Sequence, residues 1–400
     1  MVKNDLIYEL EKECLSGRSI PIDHMEVEKE SLRRVPAFIK EKDYQQLMLI
    51  VDKNTKEAAG NKLMEYLKEA KIDVEVMVLP EDRHGHAIAN EETMMQVFVH
   101  TSPSVDCFLA VGSGTIHDIT RFVSSKMKVP FISIPTAASV DGFTSRGAPI
   151  ILQGVKKTVQ TSNPVAVFAD LNVLKEAPRK MTAAGFGDMI GKVTSILDWN
   201  ISYLIGGEPY NELAANITRQ ALEKCVEHID ELERNEEHGI EVLMEALIQS
   251  GLVMLVLDYS RPASGGEHHL SHYWEMDLLK KDEKQLLHGA KVGVATAIIS
   301  DLYKMYLQEP ALLALTDHPE WKERLLEFGT TIQEQVEQIP DSDEIKGWLQ
   351  KAGGPVDPKE MGISEELVQA SLNEAYHLRD RCTGLKLINV STQTDIVYPI

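Results

Sequence analysis

Four of the chain's 13 histidines fall within one short stretch: His268, His269, His272 and His288. Neutral imidazole is the commonest metal ligand in proteins, and a pair of histidines needs a third, preferably anionic, donor. His268 and His272 are spaced i, i+4, so on a helix they share a face. The preceding Ser264-Gly265-Gly266 could form the turn that admits a ligand to the start of that helix. His288 stands in Leu-Leu-His288-Gly, just ahead of a helical pattern. Asp188, in Ala-Ala-Gly-Phe-Gly-Asp188, is the best-placed carboxylate. Its neighbouring glycines are costly in a helix, which points to close approach of another chain segment or a ligand. Any one of these histidines alone reads as a surface or hydrogen-bonded core residue. Together they favour a divalent-metal site.

A second group of residues suits a nucleotide. Phe108-Leu-Ala-Val-Gly112-Ser-Gly114-Thr115-Ile116-His117-Asp118 runs from an apolar strand through a glycine turn into a helix. Backbone amides at such a helix start can bind a pyrophosphate. The run departs from G-x-G-x-x-G because His117 occupies the third glycine's position. Asp52, the candidate ribose-binding acid, lies before the loop, whereas an ordinary Rossmann unit places it ~20 residues after. Taken alone, the loop fits a plain strand-to-helix connection equally well. A second loop, Pro135-Thr136-Ala137-Ala138-Ser139-Val-Asp141-Gly-Phe-Thr-Ser145, follows the next strand and is full of small and hydroxylic residues. Ligands of open parallel sheets bind at the C-terminal ends of strands, so two such loops would flank one crevice. Thr136, Ser139 and Ser145 are candidates to hydrogen-bond a cofactor, and Asp141 to meet a substrate hydroxyl. The alternative for this loop is a hydroxyl-rich turn that caps the next element.

The elements that must position these residues follow from periodicity. Apolar runs at Leu47–Val51, Val74–Leu79, Cys107–Val111, Phe131–Ile134 and Val165–Ala169 predict buried strands, separated by helical patterns. That alternation implies right-handed βαβ units and a mostly parallel sheet. After Pro178 helical periodicity dominates, through Ile190–Trp199, Leu213–Leu232, Ile240–Leu257, Gly289–Tyr306, Trp321–Gln338 and Glu365–Leu378. The expectation is an α/β dinucleotide-binding domain over residues 1–178 and a helical metal- and substrate-binding domain over 179–400.

Composition removes other classes of function. An apolar content of 43% argues against wholesale disorder. A net charge of −21 repels phosphate backbones and anionic lipid, so neither nucleic acid nor a membrane surface is an expected partner. The cysteines Cys14, Cys107, Cys225 and Cys382 are scattered and form no C-x-x-C pair, as in a reduced cytosolic protein. The first residues are acidic where a secretion signal would be basic and apolar, and the longest apolar runs, such as Leu252–Leu257, are short for a membrane span. A cytoplasmic location is expected.

Gly112-Ser-Gly-Thr-Ile-His-Asp118, Thr136-Ala-Ala-Ser-Val-Asp141, Gly187-Asp188, Ser260-Arg-Pro-Ala-Ser-Gly-Gly-Glu-His268-x3-His272 and Leu287-His288-Gly289 occur in one characteristic order. Together, over roughly residues 40–300, they resemble the iron-containing alcohol dehydrogenase superfamily, which includes glycerol dehydrogenase and dehydroquinate synthase. Within it, the strongest resemblance is to the branch of bacterial sn-glycerol-1-phosphate dehydrogenases. The resemblance implies a dehydroquinate synthase-like fold, with the active site in the cleft between an α/β and a helical domain. It implies a metal held by Asp188, His268 and His288, with His272 as a substrate or proton-relay residue. It also implies NAD(H) or NADP(H) bound by Gly114 to Asp118, Thr136 to Ser139 and Ser145, with Asp52 on the adenine ribose. Reduction of dihydroxyacetone phosphate by a homodimer is the implied activity, and zinc, iron or nickel suits the ligand set. Ser113 departs from the superfamily's commoner triple-glycine loop. Arg146, Lys156, Lys157, Lys192 and Arg261 are candidate phosphate partners among which sequence does not choose. The rival readings are a dehydrogenase of unphosphorylated polyols, a dehydroquinate synthase-like lyase, whose metal carboxylate is typically Glu, and a non-enzymatic helical metal-binding protein.

Overall fold

The apolar runs become the strands of one sheet. In the computed structural model, which describes residues 5–15, 19–308, 318–392 and 395–398, the strands are β1 (His24–Glu28), β2 (Leu47–Val51), β3 (Val74–Val78), β4 (Cys107–Gly112), β5 (Phe131–Pro135), β6 (Gly147–Leu152), β7 (Val155–Gln160) and β8 (Ala166–Asp170). Six of them form a sheet in the order β1-β8-β5-β4-β2-β3, and every adjacent pair is parallel. β2, β4, β5 and β8 are buried along their whole length, as continuous apolar runs require when both faces of a sheet are covered. Leu47, Leu49, Val51, Leu109 and Val111 pack into the core on one face, and Met48, Ile50, Phe108 and Ala110 into the core on the other. β6 and β7 form a separate antiparallel hairpin, turned by Gln153 and Gly154, both at positive φ.

The chain makes two compact units. The first comprises residues 1–185 and 230–258, and the second residues 186–229 and 259–400. This arrangement differs from a single cut near residue 178 in two respects: the first unit runs on to residue 185, within the helix Arg179–Ile190, and the later helix Glu237–Leu257 also belongs with the sheet. The cause is its chemistry. It is apolar around most of its circumference, and by length and composition it could cross a bilayer, so the short-run estimate from sequence understated it. It is instead mostly buried within the first unit, where it packs against the helices Asp5–Cys14 and Leu171–Lys175 and against β1.

In the second unit the helices Lys192–Leu204, Gly266–Lys280 and His288–Tyr306 share a core built on Leu197, Ile201, Leu270, Trp274, Ile298 and Tyr303. No strand of either sheet comes from this unit among the described residues.

Candidate metal and cofactor sites

Gly187 explains how the metal-type donors meet. A Cβ there would lie 2.3 Å from the Gly289 carbonyl oxygen, so only glycine lets the helix Arg179–Ile190 pass this close to the start of His288–Tyr306. The next residue on the first helix is Asp188, and the residue before Gly289 is His288. The glycine therefore brings a carboxylate and an imidazole together. His268 enters from the first turn of Gly266–Lys280.

Asp188, His268 and His288 each offer one donor atom, all within 4.8 Å of one another. His268 Nε2 lies 3.8 Å and His288 Nε2 3.9 Å from Asp188 Oδ1. Ligands at 2.0–2.2 Å on a tetrahedral ion would stand roughly 3.4 Å apart, so a small contraction closes this set around a metal. Asp188 is fully buried, and a buried carboxylate beside two imidazoles is the donor set of a divalent site. The residues fit the group. His268 Nδ1 donates to Glu267 Oε1 at 2.7 Å, which leaves Nε2 bare and turned to Asp188. Glu267 is held in turn by Thr194 Oγ1 and the Gly265 amide, each at 2.6 Å. Burial pushes the Glu267 carboxyl up, but its hydrogen bonds to His268, Thr194 and Gly265 outweigh that and hold it below its ordinary value. Lys192, fully buried, donates to the Asp188 carbonyl at 2.9 Å and lies 3.5 Å from Oδ1.

His272 stands beside this set, its ring 5.8 Å from that of His288 and 6.2 Å from that of His268. Its Nε2 lies 3.3 Å from Arg379 Nη2 and its Nδ1 3.4 Å from Glu275 Oε2. A guanidinium can only donate, so Nε2 accepts and Nδ1–H points to Glu275. Glu275 Oε2 also lies 3.4 Å from the buried Lys291 Nζ. Imidazole, carboxylate and ammonium thus form a chain along which a proton can be passed.

In the first unit, parallel pairing brings the two loops together. Gly112 at the end of β4 is in register with Pro135 at the end of β5, and the Thr136 amide donates to the Gly112 carbonyl at 3.0 Å. Gly114 opens the helix Gly114–Met127, so the amides of Gly114, Thr115 and Ile116 occupy its unpaired first turn. Asp52 follows β2, on the neighbouring side of β4. Its carboxylate caps its own helix through the Thr55 amide at 2.7 Å. Ile116 and His117 turn into the core, whereas Gly114, Thr115 and Asp118 are part-exposed. His117 Nδ1 donates to the Ser113 carbonyl at 2.9 Å and Nε2 accepts from Ser133 Oγ at 2.8 Å. Burial, aided by the Arg121 charge and opposed by the Ser113 bond, pushes its pKa down to about 3. The imidazole is a neutral strut between Ser113, just past β4, and Ser133 within β5, which accounts for histidine at the third glycine's position.

Thr136, Ala137, Ala138, Ser139 and Ser145 are buried. Ser139 Oγ has no hydrogen-bond partner among the described residues, and Ser145 Oγ donates to the Gly142 carbonyl at 3.3 Å. Asp141, part-exposed, accepts from Ser250 Oγ at 2.9 Å. Gly251 on the same helix as Ser250 presses against this loop, where a Cβ would lie 2.6 Å from the Asp141 carbonyl oxygen.

Several residues escaped the sequence reading. Arg121, fully buried, bonds the carbonyls of Gly142 and Gly147 and the Asp118 carboxylate, tying the second loop to the helix that starts the first. Arg379 and Arg381 both reach Ser264, through its Oγ at 3.0 Å and its carbonyl respectively. The only sequence signal for them is Arg-Asp-Arg in a strongly acidic chain. Of the basic residues singled out from sequence, Arg146 lies 3.7 Å from Asp258, Lys156 and Lys157 stand on the β6–β7 hairpin, and Arg261 is bonded to Glu208 at 2.6 Å. Lys192 alone among them touches the metal-type set.

A family profile described as iron-containing alcohol dehydrogenase matches residues 26–178. A glycerol-1-phosphate dehydrogenase [NAD(P)+] from Bacillus velezensis is 47% identical over 96% of this chain and 95% of its own length. Another of the same name, from Geobacillus thermodenitrificans, is 45% identical over 96% of this chain and 97% of its own length. Among solved structures, glycerol dehydrogenase from Schizosaccharomyces pombe superimposes with a TM-score of 0.66 at 17% identity, covering 92% of this chain and 85% of that one.

Proposed function

The chain belongs to the glycerol-1-phosphate dehydrogenases of the iron-containing alcohol dehydrogenase family, and on that premise we propose that it reversibly reduces dihydroxyacetone phosphate to sn-glycerol 1-phosphate with NADH or NADPH. The observation that carries this reading is the Asp188–His268–His288 set, in a chain that matches proteins of that name over almost their whole length.

Asp188, His268 and His288 would hold one divalent ion, with Glu267 fixing the tautomer of His268. When bound, the ion polarises the substrate carbonyl and stabilises negative charge on its oxygen, while the reduced nicotinamide supplies hydride. The chain's own residues do the rest. The amides of Gly114, Thr115 and Ile116 and the hydroxyls of Thr136, Ser139 and Ser145 are suited to bind the cofactor's phosphates and ribose, with Asp118 beside them and Asp52 toward the adenine side. Asp141 would accept a hydrogen bond from a substrate hydroxyl, held in place for this by Ser250. His272, released from Arg379 and protonated at Nε2 while Nδ1–H stays on Glu275, would deliver the Nε2 proton to the substrate's former carbonyl oxygen, return to the neutral imidazole, and take its next proton from solvent. The enzyme is read as a cytoplasmic homodimer, which light scattering of the purified protein tests.

The experiment is a comparison of kcat/KM for dihydroxyacetone phosphate and dihydroxyacetone in metal-reconstituted enzyme, with NADH and with NADPH. Strong preference for the phosphate ester and a product with the sn-1 configuration are expected. Equal efficiency, or glycerol 3-phosphate as product, would overturn the reading.

A further inference from the structure

The second unit leaves buried guanidinium donors without partners close to the arginine that contacts His272. Arg381 is 8% exposed, and apart from its bond to the Ser264 carbonyl its Nε and Nη2 have no partner among the described residues. His269, fully buried, likewise has both ring nitrogens unpartnered among the described residues. Arg379 shares Ser264 with Arg381 and reaches His272 with its other terminal nitrogen.

The nearby carboxylates Asp198, Glu208 and Glu267 offset part of the Arg381 charge, but their hydrogen bonds are made to other groups. Asp198 accepts from the Gly266 and Gly384 amides and from Tyr303, Glu208 from Arg261 and the Cys382 amide, and Glu267 from His268, Thr194 and Gly265. Buried guanidinium donors without a partner are costly, and the oxygens of an anion would complete those of Arg381 beside the neighbouring charge of Arg379. A guanidinium pair matches the oxygens of a phosphate monoester through charge-assisted bonds.

We propose that Arg379 and Arg381 form the subsite for the substrate's phosphate, with Arg379, the part-exposed member, making the direct contact and Arg381 supplying the second charge from behind. This rests on the proposed reduction of dihydroxyacetone phosphate. The assignment suits that substrate's chemistry, because three bonds separate its carbonyl carbon from phosphorus. Arg379 stands one imidazole away from the donor set that would face the carbonyl. Of the basic residues suggested by sequence, Arg261 is held in an ion pair with Glu208 and Lys192 lies against Asp188.

The test uses full-length, metal-loaded enzyme and the variants Arg379→Gln, Arg379→Lys and Arg381→Gln, with metal content and circular dichroism checked for each. Inorganic phosphate is titrated by calorimetry, and kcat/KM is measured for the phosphorylated and unphosphorylated ketones. Loss of one charged hydrogen-bonding group typically lowers affinity ~10–150-fold. The expected result is a fall of that order in phosphate affinity and in the preference for the phosphorylated ketone, seen mainly in KM, with partial recovery in Arg379→Lys. Phosphate affinity and substrate preference of folded Arg379→Gln within about twofold of wild type would overturn the subsite, whatever Arg381→Gln does. Should the wild type itself show no preference for the phosphorylated ketone, the proposed function fails. The phosphate titration of wild type against Arg379→Gln then still decides the subsite.

Discussion

At the scale of single residues, His288 and His272 separate two roles that their proximity could blur. His288 donates to the common set around Asp188 Oδ1, so His288→Ala should emerge with little bound metal and no measurable turnover. Stoichiometric metal in that variant, measured by plasma mass spectrometry, would remove His288 from the ligands. His272 instead faces Arg379 and Glu275. His272→Ala should keep its metal and cofactor binding yet lose ~10²–10⁴-fold in kcat, the usual contribution of a general acid. Loss of metal there would make it a ligand. His117 carries a prediction of a different kind. Its folded pKa of about 3 lies below the unfolded value, so between those two values the unfolded chain binds a proton that the native chain refuses. The stability it contributes is complete above pH 6.5 and is lost as the pH falls toward 3, by at most about 1.4 kcal/mol per pH unit. Urea titrations at pH 7 and pH 4.5 should show a shallower pH dependence in His117→Asn than in wild type. Parallel curves would mean the imidazole is not the group responsible.

At the scale of elements, the test falls on Gly187. Gly187→Ala should force apart the helices Arg179–Ile190 and His288–Tyr306, because the new methyl would lie 2.3 Å from the Gly289 carbonyl. Overpacking of this sort typically costs 1–3 kcal/mol. The variant should melt lower and bind metal more weakly than wild type, and an unchanged metal affinity would show that the contact does not set the site. The sequence-level expectation of a close approach at these glycines is thus met by a neighbouring helix. Periodicity was enough for β2, β4, β5 and β8, since a strand buried on both faces must be apolar throughout. It was not enough for β1, whose His-Met-Glu-Val-Glu mixes charge with apolar side chains at the sheet edge, nor for the largely exposed β7. The Asp188, His268 and His288 cluster was legible because each residue type and its glycine neighbours carry chemical meaning. Arg379 and Arg381 were not, since an arginine's surroundings are decided by packing from distant parts of the chain. His117 was legible in position but not in role: only the partners Ser113 and Ser133 reveal a strut.

At the scale of the whole molecule, the proposed ligands Asp188, His268 and His288 all lie in one unit, so a bound ion would be tied to the folding of that unit. Removing the ion with a chelator should therefore lower the thermal midpoint of the protein, while ligand present at 100 times its dissociation constant would contribute about 2.7 kcal/mol. Calorimetry with and without chelator should show the shift, and coincident traces would indicate that the site adds nothing to stability. The order in which the units are written along the chain matters as well. The path passes from one unit to the other at residues 185/186, 229/230 and 258/259, so the helix that backs the Asp141 loop is encoded after a segment of the other unit. A nascent polypeptide that ends before residue 237 has its six-stranded sheet but not the apolar helix that covers part of it. During synthesis that surface stays open to chaperones or to other nascent chains until the ribosome has passed residue 258. Expression of residues 1–178 alone, which span the stretch shared with the family profile, should give an aggregating fragment. Appending residues 230–258 through a flexible linker should restore a soluble sheet unit.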